Sequence, residues 1–252
     1  MYKAHLKEKI SYKRIYMIQI AHRGLSQHFK DNSKKAFEEA IHSGFEMIEL
    51  DIQLSKDNVI FIYHDTFYDN FLLRDLDFEE IKKLDSDILS FQEFLVFMVA
   101  FPKIKIYVDM KGYGEEICKT LPNILDKHLD QKYIQENLYI ASFNIKHIQI
   151  LHECKKGYNL GIITENVFPK EIIDIFINSY HLGFFCFHWT VLDNDINTYI
   201  KQKQKQTQKQ TQKQTTTSKP IEIFTYTNKS NNILNFMRQK PFLDGIVTNY
   251  KF

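Results

Sequence analysis

The sequence predicts a (β/α)8 TIM barrel of the α/β class, with a β-hairpin excursion after the second strand. Short apolar runs alternate with segments of helical period along most of the 252 residues, which is typical of βαβ units and a parallel sheet. Polar residues directly follow several of these runs, as they do at the mouth of a barrel. The length suits a single barrel domain over residues 1–252.

The chain contains nine apolar runs that are predicted as strands. They lie near residues 15–21, 45–54, 58–63, 104–110, 138–142, 159–163, 183–188, 221–226 and 244–248. Helical periodicity predicts helices near residues 33–43, 91–101, 114–129, 144–155, 169–179, 193–202 and 229–239. The last strand is expected to close the barrel against the first.

The second and third runs are too close together for a parallel crossover. Only Ser-Lys-Asp-Asn separates Leu54 from Val59, whereas a parallel crossover needs about ten residues or more. Lys-Asp-Asn is favourable in a hairpin turn. The run at 58–63 is therefore predicted as the returning arm of a hairpin outside the barrel wall, which leaves eight strands for the wall.

A tract rich in Lys and Gln at residues 201–219 interrupts the alternation. Little in it can pack, so it is predicted as a disordered insert. A basic tether to an acidic surface and a tolerated repeat expansion both fit, and expansion is favoured because charge runs are usually solvated. The tract holds six lysines and no acid, so the formal charge of +2 becomes −4 for the rest of the chain. That balance predicts no nucleic-acid partner.

The cysteine and hydropathy patterns bear on the cellular compartment of the protein. Cys118, Cys154 and Cys186 form no C-x-x-C pair, which favours free thiols over a disulfide framework or a thiolate zinc site. No apolar run reaches eighteen residues, and no signal-peptide core follows the charged N-terminus. The sequence therefore predicts a cytoplasmic protein without a transmembrane segment.

The first functional signal is the polar His22-Arg23 pair directly after strand 1, followed by Gly24 at a turn. In isolation, a surface loop explains this pair about as well as a barrel mouth does.

A pair of carboxylates in the second strand is a sharper signal. Alternate residues of a strand share a face, so Glu49 and Asp51 point together while the apolar residues between and beside them point the other way. In a barrel the apolar set packs on the helices, which places both acids inside. Two like charges there require a cation, either a hard divalent ion with oxygen ligands or a barrel lysine.

The strand at 104–110 repeats this pattern. Its apolar residues alternate with an inward set of Lys105, Tyr107, Asp109 and Lys111. Asp109 is predicted as a third metal ligand, and Lys111 as a positive contact for a phosphate. Acids from two separate strands at one end of the same barrel point to a site more strongly than either strand alone.

The returning hairpin arm ends on His64-Asp65. A histidine within reach of a phosphate is suited to general acid or base catalysis, because its pKa lies near the working pH. Asp65 is placed to orient the ring, although a single histidine of this kind is more often structural.

Together these residues resemble the signature of the glycerophosphodiester phosphodiesterase family. The block from Ala21 to Asp65 contains the HRG, an Asn-Ser pair before a helix, the E-x-D of strand 2 and an HD after a Lys-Asp-Asn turn. The resemblance continues through VDMK, ASF, a Tyr-Thr pair at Tyr226 and the terminal DGIVTN. It spans nearly the whole chain apart from the Lys/Gln tract.

The resemblance implies hydrolysis of a glycerophosphodiester, a small-molecule substrate, to glycerol 3-phosphate and an alcohol. It also implies one divalent cation, Mg²⁺ or Ca²⁺, with three ligands: Glu49, Asp51 and Asp109. The general acid/base pair that it implies is His22 and His64. The substrate contacts that it implies are Arg23 and Lys111 on the phosphate and Tyr226 beside the substrate.

Three positions depart from the family pattern. Asp31 stands where the family usually has Glu, and this shorter acid is expected to reach Arg23 less well. Asp109 replaces the usual third Glu ligand, and with Lys111 it is similar to the phospholipase D-type toxins (sphingomyelinase D), so the choice of ion stays open. Asn58 replaces a turn glycine, a substitution that Asn tolerates.

Two alternative functions remain. One is a lyase of the sphingomyelinase D type that forms a cyclic phosphate from a larger lipid; the absence of a secretion signal and of a disulfide pattern argues against it. The other is an inactive barrel that binds phosphodiesters or a partner protein. The presence of both histidines, all three acids and both cations argues against such a loss of activity.

Overall fold

A computed structural model describes residues 17–211, 219–228 and 230–251 of the chain. The strands are β1 Ile18–His22, β2 Met47–Leu54, β3 Ile60–Ile62, β4 Phe67–Tyr68, β5 Phe71–Leu72, β6 Lys105–Met110, β7 Leu138–Ser142, β8 Asn159–Thr164, β9 Phe184–His188, β10 Glu222–Asn228 and β11 Gly245–Thr248. The helices are α1 Lys34–His42, α2 Phe78–Leu84, α3 Phe91–Met98, α4 Glu116–His128, α5 Gln131–Asn137, α6 Ile145–Glu153, α7 Lys170–Tyr180, α8 Asn194–Thr211 and α9 Asn231–Arg238.

Eight parallel strands close the barrel. β1 pairs with β2 on one side and with β11 on the other, and β6 to β11 complete the ring in chain order. Helices connect the successive strands, as right-handed parallel crossovers require. The predicted (β/α)8 barrel, including its closure by the last strand, is confirmed.

β3 lies outside this ring. It pairs antiparallel with the last part of β2, with Ile52 opposite Ile62 and Leu54 opposite Ile60. Asn58 in the intervening turn has a φ of +63°, a conformation that asparagine adopts more readily than most residues. A second small hairpin, β4–β5, and the short helix α2 follow before the chain returns to the barrel at α3.

Helix starts follow the capping chemistry of the sequence. Ser33 accepts a hydrogen bond from the backbone N–H of Ala36 at the start of α1. Ser90 and Glu93 form a reciprocal capping box at the start of α3. The sequence does not predict α2 and α5, each of which is seven residues long, because so few turns give a weak periodic signal. In the described part of the chain, no helix has the length and apolar character needed to span a membrane.

The core has two layers. The outward apolar residues of β2 and β6, such as Leu50 and Val108, pack against the surrounding helices, as the alternation predicts. Inside the ring, four aromatic rings pack with centroids 5.2–6.2 Å apart: Tyr107, Tyr139, Phe184 and Phe224. Gly161 makes room for them, since a Cβ there would lie 2.4 Å from Cζ of Phe184. This filled interior forms a floor beneath the open end of the barrel.

The first part of the Lys/Gln tract is helical, and the disordered insert over 201–219 stays a prediction. Residues 201–211 continue α8, whereas residues 212–218 lie outside the described residues. Lys and Gln have high helix propensity, so a helix that is already anchored extends into them at little cost. Two ion pairs supply the anchor: Lys201 contacts Asp244, and Lys203 Nζ lies 2.9 Å from Asp174 Oδ2.

Candidate active site

His22 is the last residue of β1 and lies at the carboxyl end of the barrel. Its Nδ1 lies 2.7 Å from Oδ1 of Asn249, which follows β11. An amide oxygen only accepts, so Nδ1 is the donor and Nε2 is left without a proton. Burial, assisted by the charge of Arg23, lowers the pKa of His22 to about 4. The ring is therefore neutral at neutral pH, with Nε2 able to take a proton.

Arg23 and Gly24 turn the chain sharply after β1. Their φ values are +56° and +76°, and such left-handed conformations are costly for a non-glycine residue. Gly24 packs so closely on α1 that a Cβ would lie 2.6 Å from the carbonyl carbon of Ala36. The Arg23 backbone N–H donates to Oε2 of Glu49 at 2.8 Å, which ties the turn to β2.

The Arg23 side chain bridges two acids. Its Nε lies 3.0 Å from Oδ2 of Asp51, and its Nη1 lies 3.0 Å from Oδ2 of Asp31. The expectation that the shorter Asp31 reaches Arg23 less well is therefore wrong, because the left-handed turn brings the two residues together. The guanidinium is held at the rim of the barrel with its charge directed at the acids.

Three buried carboxylates meet at this end of the barrel. Glu49 and Asp51 occupy alternate positions of β2, and Asp51 lies opposite Asp109 in the parallel pairing of β2 with β6. One oxygen from each carboxylate lies within 4.8 Å of one oxygen from each of the others. The strand register thus produces a cluster that could hold a metal ion.

Burial and mutual repulsion govern the ionisation of this cluster. Burial raises the pKa of Glu49 well above its usual value, and the charges of Asp51 and Asp109 raise it further. Burial and Asp51 also raise the pKa of Asp109, against the opposing effect of Lys111. For Asp51, Lys111 and Arg23 outweigh burial and lower the pKa. The same acids raise the pKa of Lys111, which stays charged.

Lys111 supplies the lysine ion pair that the sequence offers as an alternative to a metal. Its Nζ lies 2.6 Å from Asp109 Oδ2 and 3.0 Å from Asp51 Oδ1. The lysine does not satisfy the cluster, however, because Oδ1 of Asp109 is buried and has no hydrogen-bond partner among the described residues. With Arg23 included, two cations still face three carboxylates. An oxygen-only donor set with an unpartnered buried oxygen fits a hard divalent cation.

Asn32 is a buried site residue that the sequence analysis does not single out. Its amide Nδ2 donates to Oδ2 of Asp51 at 2.8 Å, and its Oδ1 accepts from the Asp51 backbone N–H at 3.3 Å. The residue has a φ of +55° and directly precedes the cap of α1. Its position in the family-like Asp-Asn-Ser segment is the signal that could have identified it as a support for Asp51.

His64 stands on the loop after β3 and is held from two sides. Its Nδ1 lies 2.6 Å from Oδ1 of Asp65, and since the carboxylate accepts, Nδ1 donates and Nε2 is left for chemistry. Gln53 of β2 donates through Nε2 to the carbonyl oxygens of Tyr63 and Asp65, both at 2.8 Å. No role was predicted for Gln53 from sequence, although Gln53 continues the row of alternate inward residues that begins with Glu49 and Asp51.

Tyr226 lies at the end of β10, beside two other loop residues. Its ring contacts that of Phe143 edge-on, with centroids 6.1 Å apart, and its hydroxyl donates to Oε1 of Glu165 at 3.4 Å. Lys111 Nζ lies 5.6 Å from the centroid of the Phe143 ring. These side chains line the same cavity as His22 and His64.

A cavity of about 170 Å³ unites the predicted residues. All eight line it: His22, Arg23, Glu49, Asp51, His64, Asp109, Lys111 and Tyr226. Phe143, from the Ala-Ser-Phe part of the family resemblance, also lines the cavity, as does Glu165, to which no role was assigned from sequence. Two imidazoles, two cations and an acidic cluster in one small cavity can bind an anion, hold a cation and transfer protons.

Known proteins of similar sequence match part of the chain. A glycerophosphodiester phosphodiesterase of Bacillus altitudinis is 26% identical over 164 residues, which is 58% of this chain and 66% of that protein. A glycerophosphodiester phosphodiesterase of Caldanaerobacter subterraneus is 28% identical over 161 residues, again 58% of this chain and 66% of that protein. The matched segments thus span just under two thirds of the length of these relatives.

Solved structures share the whole fold. A glycerophosphodiester phosphodiesterase from Thermotoga maritima superposes with a TM-score of 0.73 at 23% identity, covering 93% of this chain and 95% of that one. A phosphodiesterase from Oleispira antarctica, solved with the product sn-glycerol-3-phosphate, has a TM-score of 0.73 at 16% identity and covers 93% and 94% of the two chains. The sequence model of the glycerophosphoryl diester phosphodiesterase family matches residues 22–250. The chain therefore belongs to the glycerophosphoryl diester phosphodiesterase family.

Proposed function

We propose that the protein hydrolyses glycerophosphodiesters to glycerol 3-phosphate and an alcohol, by general acid/base catalysis at a site that binds one divalent cation. The observation that carries the proposal is the pair of imidazoles in one cavity, each with Nδ1 engaged and Nε2 available. Family membership supports it, as does the product bound by the Oleispira antarctica phosphodiesterase.

The phosphate is bound by Arg23 and Lys111. Both side chains enter the cavity from the carboxyl ends of β1 and β6, the two strands that flank β2, and both are already held by buried acids. Guanidinium presents several N–H groups in a plane to phosphoryl oxygens, whereas ammonium acts as a point charge. Held in advance, the two cations stabilise the negative charge that builds up on the phosphoryl oxygens during the reaction.

His22 takes a proton from the attacking water molecule. Its ring is neutral because burial and Arg23 keep its pKa at about 4, and its Nε2 is unprotonated because Nδ1 donates to Asn249. As the oxygen of this water bonds to phosphorus, the proton passes to Nε2 of His22. The bond from phosphorus to the departing alcohol then breaks.

His64 gives the proton of its Nε2 to the departing alcohol, from the imidazolium form in which Nδ1–H also donates to Asp65. Asp65 and Gln53 hold the His64 loop so that its ring lines the same cavity as His22. One imidazole that takes a proton and another that gives one leave the overall reaction neutral in protons. Tyr226 packs beside the substrate on the opposite wall.

Three residues are proposed to hold the cation, Mg²⁺ or Ca²⁺: Glu49, Asp51 and Asp109. Once bound, the cation would neutralise charge on the phosphoryl oxygens. The unpartnered Oδ1 of Asp109 and the raised pKa values of Glu49 and Asp109 support this assignment, because both features are costly unless a positive charge is present.

The test uses metal-stripped protein with glycerophosphocholine or glycerophosphoethanolamine, and follows glycerol 3-phosphate after Mg²⁺ or Ca²⁺ is restored. Release is expected with metal and is expected to fall by about 100-fold or more in His22→Ala and Glu49→Ala. His42→Ala and Glu136→Ala, at exposed positions on α1 and α5, are the matched controls. Consumption of lysophospholipid to a cyclic phosphate instead would identify a lyase. Binding without turnover of either substrate would identify an inactive barrel.

A further inference from the structure

A second and much larger cleft opens beside the catalytic cavity. It has a volume of about 1130 Å³ and lies among the segments that follow β2, β3, β6 and β7. Three residues line both spaces: His64, Lys111 and Phe143. The cleft is therefore continuous with the catalytic cavity on the side of His64.

The position of His64 indicates what enters this cleft, on the basis of the proposed function. The proton donor must lie next to the oxygen of the departing alcohol. Because His64 stands where cavity and cleft join, the alcohol extends from the phosphate into the cleft. The cavity of about 170 Å³ is then left for the phosphate and glycerol, and the cleft has room for an alcohol several times larger.

The cleft wall beyond His64 is positively charged. Lys56 and Arg74 line it, and their segments adjoin because the Lys56 backbone N–H donates to the carbonyl oxygen of Leu76 at 3.0 Å. Both residues are exposed, and Arg74 Nε lies 3.8 Å from Oδ1 of Asp75. Exposed cationic groups that are held this loosely can turn to an anion that enters the cleft.

The opposite wall is aromatic and carries one acid. Tyr113 and Phe143 line it with 90% and 48% of their surfaces exposed, which offers flat apolar faces to a ring-shaped alcohol. The acid is Glu116, the first residue of α4. Its carboxylate points back at the loop that precedes the helix, with Oε2 2.7 Å from the position that a Cβ on Gly114 would occupy. Cationic residues thus outnumber the acid along this cleft.

We propose that the cleft binds the departing alcohol and that Lys56 and Arg74 select alcohols that carry a phosphate of their own. A phosphorylated polyol fits the wall chemistry, because its phosphate is bound by the two cations and its ring packs on Tyr113 and Phe143. The substrates would be glycerophosphodiesters whose head group is itself phosphorylated.

The test compares two substrates that differ by one phosphate, glycerophosphoinositol and glycerophosphoinositol 4-phosphate, with the metal-loaded protein. The ratio of kcat/KM for the phosphorylated over the plain substrate is expected to be about fivefold, the effect of two exposed charge pairs. Arg74→Gln and Lys56→Gln should each lower this ratio, and both together should bring it near one. Added salt should lower it as well, because exposed charges are screened.

Lys103→Gln is the matched control. It removes the same charge from an exposed position that precedes β6 at the opposite end of the barrel, and it should leave the ratio unchanged. A ratio of one in the wild type, or a ratio unaffected by the double substitution, would overturn the proposal while hydrolysis of both substrates continues. Absence of hydrolysis of either substrate would instead contradict the proposed function.

Discussion

Glu49 shows how a site that suits a cation weakens the protein that lacks one. Its carboxylate is buried and faces two further carboxylates, so its pKa is well above the usual value. When the pKa of a carboxyl is raised in the folded state, its contribution to stability is fully present only below the pKa of the unfolded chain, about 4.5. As pH rises through that value, the unfolded chain releases the proton first, and the metal-free fold loses stability.

Glu49→Gln is therefore expected to stabilise the metal-free protein. Glutamine keeps an oxygen that accepts from the Arg23 backbone N–H and removes the buried charge. At pH 8 with a chelator, we expect the free energy of unfolding in urea to rise by about 1–2 kcal/mol, a gain that shrinks as the pH falls towards 4.5. Added Mg²⁺ or Ca²⁺ should stabilise the wild type and should have much less effect on Glu49→Gln.

Glu136→Gln, at an exposed position on α5, should show neither effect. A metal-free Glu49→Gln protein that is less stable than the wild type at pH 8 would show that Arg23 and Lys111 already compensate the three acids without a metal.

The role of a single residue could be predicted where the strand or helix period alone determines which way its side chain points. The two-residue period of a strand suffices to direct Glu49, Asp51 and Asp109 into the barrel. Asn32 escaped the sequence analysis because its role depends on a left-handed φ and on contact with a strand nineteen residues away. The contact of Asn249 with His22 was not predictable from sequence, because the two residues lie after the last and at the end of the first strand of the barrel, 227 positions apart.

At the scale of elements, β2 organises the site along one inward row of three polar side chains. Glu49 contacts the turn after β1, Asp51 contacts Arg23 and Asn32, and Gln53 holds the His64 loop. One strand thus carries two of the three acids and contacts both histidine-bearing segments. A change in its inward row should act on catalysis without altering the barrel wall.

Gln53→Leu is predicted to separate proton transfer from metal binding. Leucine keeps the approximate volume but loses both hydrogen bonds to the carbonyl oxygens on either side of His64. Displacement of a catalytic group by about 1 Å costs up to about 100-fold in rate, so we expect kcat to fall by roughly 10- to 100-fold. Metal affinity, measured by calorimetry, should stay within about twofold, since the ligands lie on the strands.

Gln92→Leu, at an exposed position on α3, serves as the control for the loss of an amide. Equal losses of metal affinity and kcat in Gln53→Leu would contradict the prediction and would indicate a general disturbance of β2.

Elements were predictable in proportion to their length and periodicity. The wall strands and the longer helices follow from alternating and helical patterns. The β4–β5 hairpin has two residues per strand, and α2 and α5 have seven residues each, which is too short for a periodic signal to stand out. These short elements matter here, because Arg74 lies in a short 3₁₀ helix, Leu73–Asp75, between β5 and α2.

At the scale of the molecule, closure of the ring by β1 and β11 brings distant parts of the chain together. Gly245 pairs with Ile18, and Asn249 then reaches His22 across 227 positions in sequence. Strand count and loop lengths were sufficient to predict this closure. The cleft beside the site was not predictable, because its walls come from loops whose approach depends on side-chain packing.

The Lys/Gln tract provides the last prediction, which concerns the domain as a whole. We expect a deletion of residues 204–216 to leave the barrel and its activity intact. Lys201 and Lys203 would still fix α8 to Asp244 and Asp174, and Lys201 Nζ lies 3.0 Å from the carbonyl oxygen of Ile221. The remaining link to β10 therefore has only a short distance to cover, and about five residues span up to roughly 17 Å.

The melting temperature of the deletion variant should stay within about 2 °C of the wild type, as for surface changes of at most about 0.5 kcal/mol. Its rate of glycerol 3-phosphate release should be unchanged. Lys201→Ala is the contrasting variant, because it removes the contacts to Asp244 and Ile221 and should lower the melting temperature further. If the deletion lowers stability as much as Lys201→Ala, or reduces the rate, the tract is part of the working domain. If the deletion changes neither the melting temperature nor the rate, the folded and active unit is the barrel. The barrel then needs α8 for its stability only as far as the ion pairs of Lys201 and Lys203.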